Sequence, residues 1–299
     1  MRLVVAAALV GAAFVMALAF GACGSDDAPL SGTLGLVSGR GGRVAIWTMH
    51  PDGSGAQRLL EAIQPAWSPQ GYLAYVKKTD DGNLDLFSLI DGVTRRLTTS
   101  PANDFTPAWS PDGKWIAFSS DPEKNADIYL APATGGELVR LTAFAELDTT
   151  PAWSPDGTKI AFVSRRDNDH EIYVMNSDGS AQTRLTFATE RDDNPAWSAD
   201  GEKIAFDSFR TAESQIWVMN TDGSDQEQVT HGDDPAYGPF WSPDGKWIAF
   251  NVTAGNLEQP GSSNEDIWVI RTDGSDEKRI TDDPSPDTVH GWLPEGSLP

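Results

Sequence analysis

The sequence predicts an all-β protein, a six-bladed β-propeller built from four-stranded antiparallel blades. The first observation is an internal repeat: Pro-Ala-Trp-Ser-Pro-Asp-Gly, or a close variant, recurs around tryptophans 42 or 44 residues apart, at Trp67, Trp109, Trp153, Trp197 and Trp241. The second is a composition of 28 Gly, 20 Pro and 11 Trp among 299 residues, with a single Cys. Many turns, many aromatic side chains and no internal disulfide are typical of a repeated β architecture held together by packing.

Each repeat divides into four short strands, named A to D. Strand A is the Pro-Ala-Trp-Ser segment, and the Pro-Asp-Gly turn follows it because Pro presets φ and Gly supplies a positive φ. In the copy around Trp153, strand B is 160–164, strand C is 172–176 and strand D is 183–186. An Asp-Gly-Ser turn joins C to D in a hairpin. One such sheet cannot bury both faces alone, so we expect the units to stack face to face and close into a ring.

The two ends of the chain complete each other in this interpretation. Residues 33–60 contain strands B, C and D with no strand A before them, whereas the chain ends in a strand A at 289–293, in a weaker sixth copy of the repeat. The simplest arrangement lets the C-terminal strand close the first blade, which removes free sheet edges at the seam. The predicted blades are 33–60 with 289–293, 65–98, 107–142, 151–186, 195–230 and 239–281.

The residues before the repeat are predicted to be an export signal and a tether. A positive charge at Arg2, an apolar run and small residues before Cys23 are typical of a secretory signal peptide over 1–22. The segment Phe-Gly-Ala-Cys that ends at Cys23 resembles a bacterial lipobox, in which the cysteine is lipidated. Residues 23–32 would then be a lipid-anchored tether and 33–299 the propeller. The alternative is a plain signal or an uncleaved anchor, and each of these also places the propeller outside the cytoplasm.

The charge of the chain excludes one class of partner. The formal net charge is −22, and nucleic-acid binding relies on Lys and Arg side chains that neutralise phosphates. We therefore expect no nucleic acid as a partner. Acidity keeps an exported protein soluble, and the alternative interpretation is a basic partner or a cation.

The repeated motifs resemble the propeller repeat of the TolB family. The resemblance rests on the Pro-x-Trp-Ser-Pro-Asp-Gly, Ile-Ala-Phe, Ile-Tyr-Val-Met-Asn, Asp-Gly-Ser and Arg-Leu-Thr series, which keep their order and spacing over 33–299. It implies a six-bladed propeller and a location in the bacterial cell envelope. It covers the propeller part only, and not the α/β domain that precedes the propeller in TolB.

Carboxylates in the predicted loops between strands D and A are the first candidates for a site. They stand five residues before the blade tryptophans, at Asp104, Asp148, Asp192 and Asp287. On a ring they would form a partial circle at the channel mouth and attract a basic peptide segment or a cation. The alternative is that each caps its own turn or pairs with a neighbouring blade.

Two further interpretations remain open at this point. His231 and His290 flank the sixth blade with Asp233 nearby, and such residues can hold a divalent metal, which would indicate a carbohydrate lyase or lactonase. A glycan-binding module would instead present aromatic side chains such as Tyr237 and Phe240 to its ligand.

The leading prediction is a non-enzymatic binding scaffold in the cell envelope. The sequence contains no Gly-x-Ser-x-Gly elbow and no phosphate-binding glycine loop ahead of a helix. We expect a monomer that needs no cofactor, with a divalent cation only in the alternative. Its partners would be an envelope protein or peptide at the loop face, and the membrane through a lipid at Cys23.

Overall fold

Six four-stranded antiparallel sheets follow one another along the chain in the computed structural model, which describes residues 30–122, 124–255 and 263–297. Cys23, the predicted signal peptide and most of the predicted tether lie outside these residues, so those assignments stay predictions. Among the described residues, no helix is long and apolar enough to cross a membrane.

The described part of the chain contains 24 strands, numbered in chain order. The first three are β1 (Thr33–Ser38), β2 (Ala45–Met49) and β3 (Gln57–Leu60). The second blade holds β4 (Ile63–Trp67), β5 (Leu73–Lys78), β6 (Leu84–Ile90) and β7 (Val93–Arg96). The third holds β8 (Asp104–Trp109), β9 (Trp115–Ser120), β10 (Asp127–Pro132) and β11 (Val139–Arg140). The fourth holds β12 (Asp148–Trp153), β13 (Lys159–Ser164), β14 (Glu171–Asn176) and β15 (Thr183–Arg184).

The last two blades follow in the same way. The fifth holds β16 (Asp192–Trp197), β17 (Lys203–Ser208), β18 (Gln215–Asn220) and β19 (Glu227–Gln228). The sixth holds β20 (Ala236–Trp241), β21 (Trp247–Gly255), β22 (Ser263–Arg271) and β23 (Lys278–Arg279). The final strand, β24 (Asp287–Leu293), pairs with β1, so the first sheet has the order β24-β1-β2-β3. This confirms the predicted six-bladed propeller and its closure by the C-terminal strand.

The apolar core lies between adjacent blades. Phe118, Phe162, Phe206 and Phe250 occupy the same position of strand B in four blades and are fully buried. The cluster around Phe206 combines side chains of the fourth and fifth blades, so each sheet buries its face against the next one. Burying a side chain of this size stabilises the fold by about 1.5–3 kcal/mol.

The blade tryptophans add a directed contact between neighbouring blades. Trp109 Nε1 donates to the carbonyl of Ala66 at 3.0 Å, and Trp241 Nε1 donates to Ala196 at 3.0 Å. Trp197 makes the same bond to Ala152 at 3.1 Å. Each of these three bonds joins one inner strand to the inner strand of the preceding blade.

The inner strands start earlier than the sequence pattern predicts. In the structure these strands begin at aspartates that were predicted to lie in loops. The third blade's inner strand begins at Asp104, and the closing strand begins at Asp287. The sequence pattern placed the start of these strands too late, because a β-bulge interrupts the pairing with strand B just before the Pro-Ala-Trp segment. A bulge removes the regular alternation by which a strand is identified in sequence.

The seam of the ring has a pair of glycines where the second to fifth blades have a pair of alanines. Gly35 in β1 pairs with Gly291 in β24, and the indole of Trp67 lies directly over Gly35. A Cβ atom on Gly35 would lie 2.1 Å from Trp67 Cζ3. Trp292 Nε1 donates to the carbonyl of Ser31 at 2.9 Å, which fastens the start of the propeller to its last strand.

We expect Gly35→Ala to weaken the closed ring. The added methyl group collides with the Trp67 ring, and such overpacking costs about 1–3 kcal/mol. Urea unfolding followed by tryptophan fluorescence measures the loss. Gly39→Ala is the matched control, because its new Cβ would meet only Ser285 Cβ at 3.7 Å. Equal stability of the two variants would contradict the close packing at the seam.

Candidate functional site

A cavity of about 800 Å³ is lined by residues from the inner strands of all six blades. Its wall repeats the Pro-Ala-Trp segment of strand A, with Phe240 in place of Ala in β20 and His290 in place of Pro in β24. A cavity of this size lies within the usual range for ligand sites, and it is where all six blades meet. We refer to it as the channel.

The channel wall repeats one unusual backbone conformation in five of its six inner strands. In five inner strands, the residue three positions before the tryptophan has a positive φ of 47–62° and lines the channel: Gln64, Thr106, Thr150, Asn194 and Gly238. Positive φ is costly for β-branched residues such as the two threonines. Strain of this kind persists only where the surroundings impose it, and it is enriched at binding sites.

Hydrogen bonds between blades hold several of these bulges. Thr106 N donates to Gln64 Oε1 at 2.9 Å, and Thr150 N donates to Ser119 Oγ at 3.2 Å. On the other side of the ring, Val289 N donates to Asn251 Oδ1 at 2.7 Å. The bulge amides are therefore tied to side chains of the preceding blade, which keeps the channel wall in one conformation.

Asp207 makes the corresponding link between the fifth and sixth blades. It is 2% exposed, and its Oδ1 accepts from Asn194 Nδ2 at 2.8 Å and from Gly238 N at 2.9 Å. The pKa of Asp207 is raised to about 7, chiefly by burial and also by the Asp193 carboxylate, while the hydrogen bond from Gly238 N opposes the rise. Asp207 therefore changes its charge near neutral pH at a position directly behind the channel wall.

The sixth and first blades give the channel a polar sector, formed by Tyr237, Asn251, Glu265, Thr288 and His290. Tyr237 donates its hydroxyl to Glu265 Oε1 at 2.6 Å. Burial, followed by this bond to Glu265, raises the pKa of Tyr237. Burial also lowers the pKa of His290 to about 4, so its imidazole is neutral at pH 7.

The four predicted aspartates lie behind the channel instead of facing it. Asp148 and Asp192 are 0% exposed, and neither lines the cavity. Arg166 Nη2 donates to both carboxylate oxygens of Asp148 at 3.1 Å, and Arg210 Nη2 donates to Asp192 at 2.6 Å. These ion pairs form within one blade, so the aspartates fix the loop at the end of their own sheet.

The other two aspartates have different partners. Asp287 pairs with Arg40 of the first blade. Asp104 makes no ion pair with any described residue, and burial raises its pKa to about 6. Ser-x-Arg segments supply the arginine in the first, fourth and fifth blades, whereas Pro122 stands at that position in the third. A binding role for the four aspartates stays a prediction, and their burial separates them from the channel surface.

The predicted metal set is not brought together. His290 lies in β24 on the channel wall, whereas His231 and Asp233 are exposed in the loop between β19 and β20. No cluster of three or more His, Cys, Asp or Glu side chains suited to a metal occurs among the described residues. The two histidines that flank the sixth blade therefore lie in different settings, His290 in a strand and His231 in an exposed loop, and the metal site stays a prediction.

Comparison with known proteins identifies the family of the repeat. A family model described as the TolB beta propeller domain matches residues 60–150 and 140–261, which is more than half of the chain. The chain belongs to the TolB β-propeller family. TolB from Acinetobacter baumannii superposes with a TM-score of 0.75 over 90% of this chain and 68% of that one, at 22% identity. A protein assigned as TolB from Agrobacterium tumefaciens gives 0.68 over 90% and 93%, at 26% identity.

Two further proteins are similar to parts of this chain or share its fold. The uncharacterized protein Atu1656 of Agrobacterium fabrum is 35% identical over 105 residues, which are 33% of this chain. The match spans 36% of that relative's length. An oligogalacturonate lyase in complex with manganese shares the fold at a TM-score of 0.59 and 14% identity, over 84% of this chain and 74% of that one. At this identity the likeness concerns the fold alone.

Tyr237 and His290 were candidates from the sequence, but three other residues that make this TolB-type propeller asymmetric at and behind the channel wall were not predicted. Asp207, Asn251 and Glu265 all depart from the repeat, which was the signal available in the sequence. The strand B position of Asp207 and Asn251 holds valine in three blades, at Val37, Val76 and Val163. These positions are missed when the copies are compared only by the residues that they share.

We expect Asp207→Asn to change how stability depends on pH. The native pKa of about 7 lies above the unfolded value of 3.8, so the protonated acid stabilises the fold at low pH, and this contribution is lost as pH rises through 7. Asparagine keeps a neutral acceptor for both hydrogen bonds. The free energy of unfolding of the variant minus that of the wild type should rise by roughly 4 kcal/mol between pH 4 and pH 8.

Urea unfolding at several pH values measures this difference. Asp222→Asn serves as the control, because hydrogen bonds from Ser224 lower the pKa of that exposed carboxyl and give a slope of opposite sign. A difference between Asp207→Asn and the wild type that stays constant with pH would contradict the assignment.

We expect Arg166→Met to destabilise the fold by about 3–5 kcal/mol, because it leaves the buried Asp148 carboxylate without its partner. The side chain of Arg43 is 76% exposed and lies 3.3 Å from Glu61, so Arg43→Met should cost at most about 1 kcal/mol. Thermal unfolding followed by circular dichroism compares the two variants. Similar losses in both would show that Arg166 contributes no more than a surface arginine.

Proposed function

We propose that this chain is a non-enzymatic binding scaffold of the bacterial cell envelope that takes a protein or peptide segment into the channel. The observation that carries the proposal is the channel itself: one cavity of about 800 Å³ to which all six inner strands contribute. Membership in the TolB β-propeller family supports a binding role on this fold.

The channel wall suits an extended polypeptide. Proline, alanine and tryptophan supply flat apolar surface. The positive-φ residues Gln64, Thr106, Thr150 and Asn194 supply neutral hydrogen-bonding groups. Rigid wall groups lose little conformational entropy when a ligand binds, and the interblade hydrogen bonds provide that rigidity. The wall can therefore contact the apolar side chains of an inserted segment and form hydrogen bonds with its main chain.

The envelope location is part of the same proposal. The signal-like segment over 1–22 and the lipobox-like residues before Cys23 support export and attachment to the outer face of a membrane. A lipid at Cys23 would hold the propeller near envelope proteins, which raises its effective concentration toward a partner. The net charge of −22 argues against nucleic acid.

We expect photocrosslinking from the channel to capture the partner, and filling of the channel to abolish capture. A photoreactive residue at Ala199, which lines the channel rim, should give discrete adducts in intact cells. Ala152→Phe in the same chain should remove them, because Ala152 lines the channel and a larger side chain at this position takes up part of its volume. The sixth blade already carries Phe240 at the matching position, so the scaffold accommodates this substitution.

The control probe is Leu138, which is 37% exposed beside the outer strand β11. Thermal unfolding verifies that Ala152→Phe remains folded. Adducts that survive Ala152→Phe, or that arise equally from Leu138, would contradict binding in the channel.

A further inference from the structure

The channel is almost uncharged although the protein is strongly acidic. Among the described residues that line it, only Tyr237, Glu265 and His290 have ionisable side chains. Tyr237 and His290 are neutral at pH 7, because burial raises the pKa of the first and lowers that of the second to about 4. Glu265 is therefore the one formal charge on the described wall.

Glu265 is placed by a departure from the repeat. It directly precedes Asp266, which faces the other side of β22, is buried and pairs with Arg279 at 2.8 Å. Because side chains alternate along a strand, Glu265 points away from that ion pair and lines the channel. The matching positions of the other blades hold no acid; they are Val44, Leu84, Ala126, His170 and Ser214.

Glu265 makes no ion pair with any Lys or Arg of the described ranges. The neighbouring segment 256–262 contains neither Lys nor Arg in its sequence. The hydrogen-bond partner of Glu265 is the neutral Tyr237 hydroxyl, which orients the carboxylate without cancelling its charge. Such an oriented, uncompensated carboxylate in a cavity leaves acceptor capacity for an ammonium or guanidinium group.

We propose that the channel selects an extended segment with one cationic side chain, Lys or Arg, whose charge pairs with Glu265 while its neighbours in the segment are uncharged. This inference rests on the proposed binding function and adds the chemistry of the ligand. The neutral wall of the second to fifth blades offers no partner for further charges, so additional charged residues would lose their hydration without compensation. The net charge of −22 attracts the cation toward the channel.

Selection from a random peptide library tests the inference, because it does not require the natural partner to be identified. Displayed random decapeptides are panned against the wild-type protein, against Glu265→Gln and against Glu265→Lys. We expect wild-type protein to enrich sequences with one Lys or Arg among uncharged residues, Glu265→Gln to lose this preference, and Glu265→Lys to enrich Asp or Glu instead. Glu227→Lys is the control, because Glu227 is exposed on the outer strand β19 and should leave the basic preference unchanged.

Affinity measurements on the best wild-type peptide sharpen the test. Calorimetry should show binding weakened by about tenfold to a hundredfold in Glu265→Gln, and by a similar factor when the peptide lysine is acetylated. Thermal unfolding establishes that each variant is folded.

The outcomes separate this inference from the proposed function. If the wild type enriches neutral or acidic peptides and Ala152→Phe still abolishes their binding, the cationic specificity is overturned and channel binding stands. A basic preference that persists in Glu265→Gln would overturn the role of Glu265. Failure of the wild type to enrich any peptide would count against both proposals.

Discussion

Pairing of β24 with β1 is the interaction on which the other features of the propeller depend. Each sheet is stable because both of its faces are buried against neighbours, and the first and sixth blades become neighbours only when the C-terminal strand completes the first sheet. The seam is fitted for this purpose: Gly35 admits the Trp67 indole, and Trp292 bonds to Ser31. The channel follows from the same closure, because its wall includes β24 together with the five inner strands between the chain ends.

Two groups of acidic residues lie at repeated positions of this fold. Those at blade ends, such as Asp148 and Asp192, are buried and paired with arginines of their own sheets. Those in the outer turns, such as Asp178 and Asp222, accept hydrogen bonds from a serine two residues later, which lowers their pKa. Neither group faces the channel. A net charge of −22 therefore coexists with a nearly neutral channel wall, and the composition alone does not describe the chemistry of the site.

The sequence predicted the architecture well because every blade repeats the same local signals. Three signals predicted the six blades and the pairing of the chain ends. They are the turn residues, the tryptophan spacing and the missing strand A in the first repeat. The site was predicted poorly for two physical reasons. A β-bulge breaks the strand pattern after residues such as Asp104, so the sequence pattern assigned these aspartates to loops at the channel mouth. Whether a side chain such as His290 faces the channel depends on register and pairing between distant segments, which local patterns do not contain.

Departures from the repeat carry the functional information, because symmetry limits what a ring can recognise. A channel with six identical walls would bind an asymmetric segment in six equivalent rotations, with no wall group assigned to a given side chain. In this protein the sixth and first blades differ from the others through Gly238, Asn251, Glu265 and His290, and these lie together in one sector. A ligand with a single charge would lose five of the six orientations, since only one places that charge against a carboxylate. The repeat thus builds the channel, and in the proposed binding function its irregular copies supply the specificity.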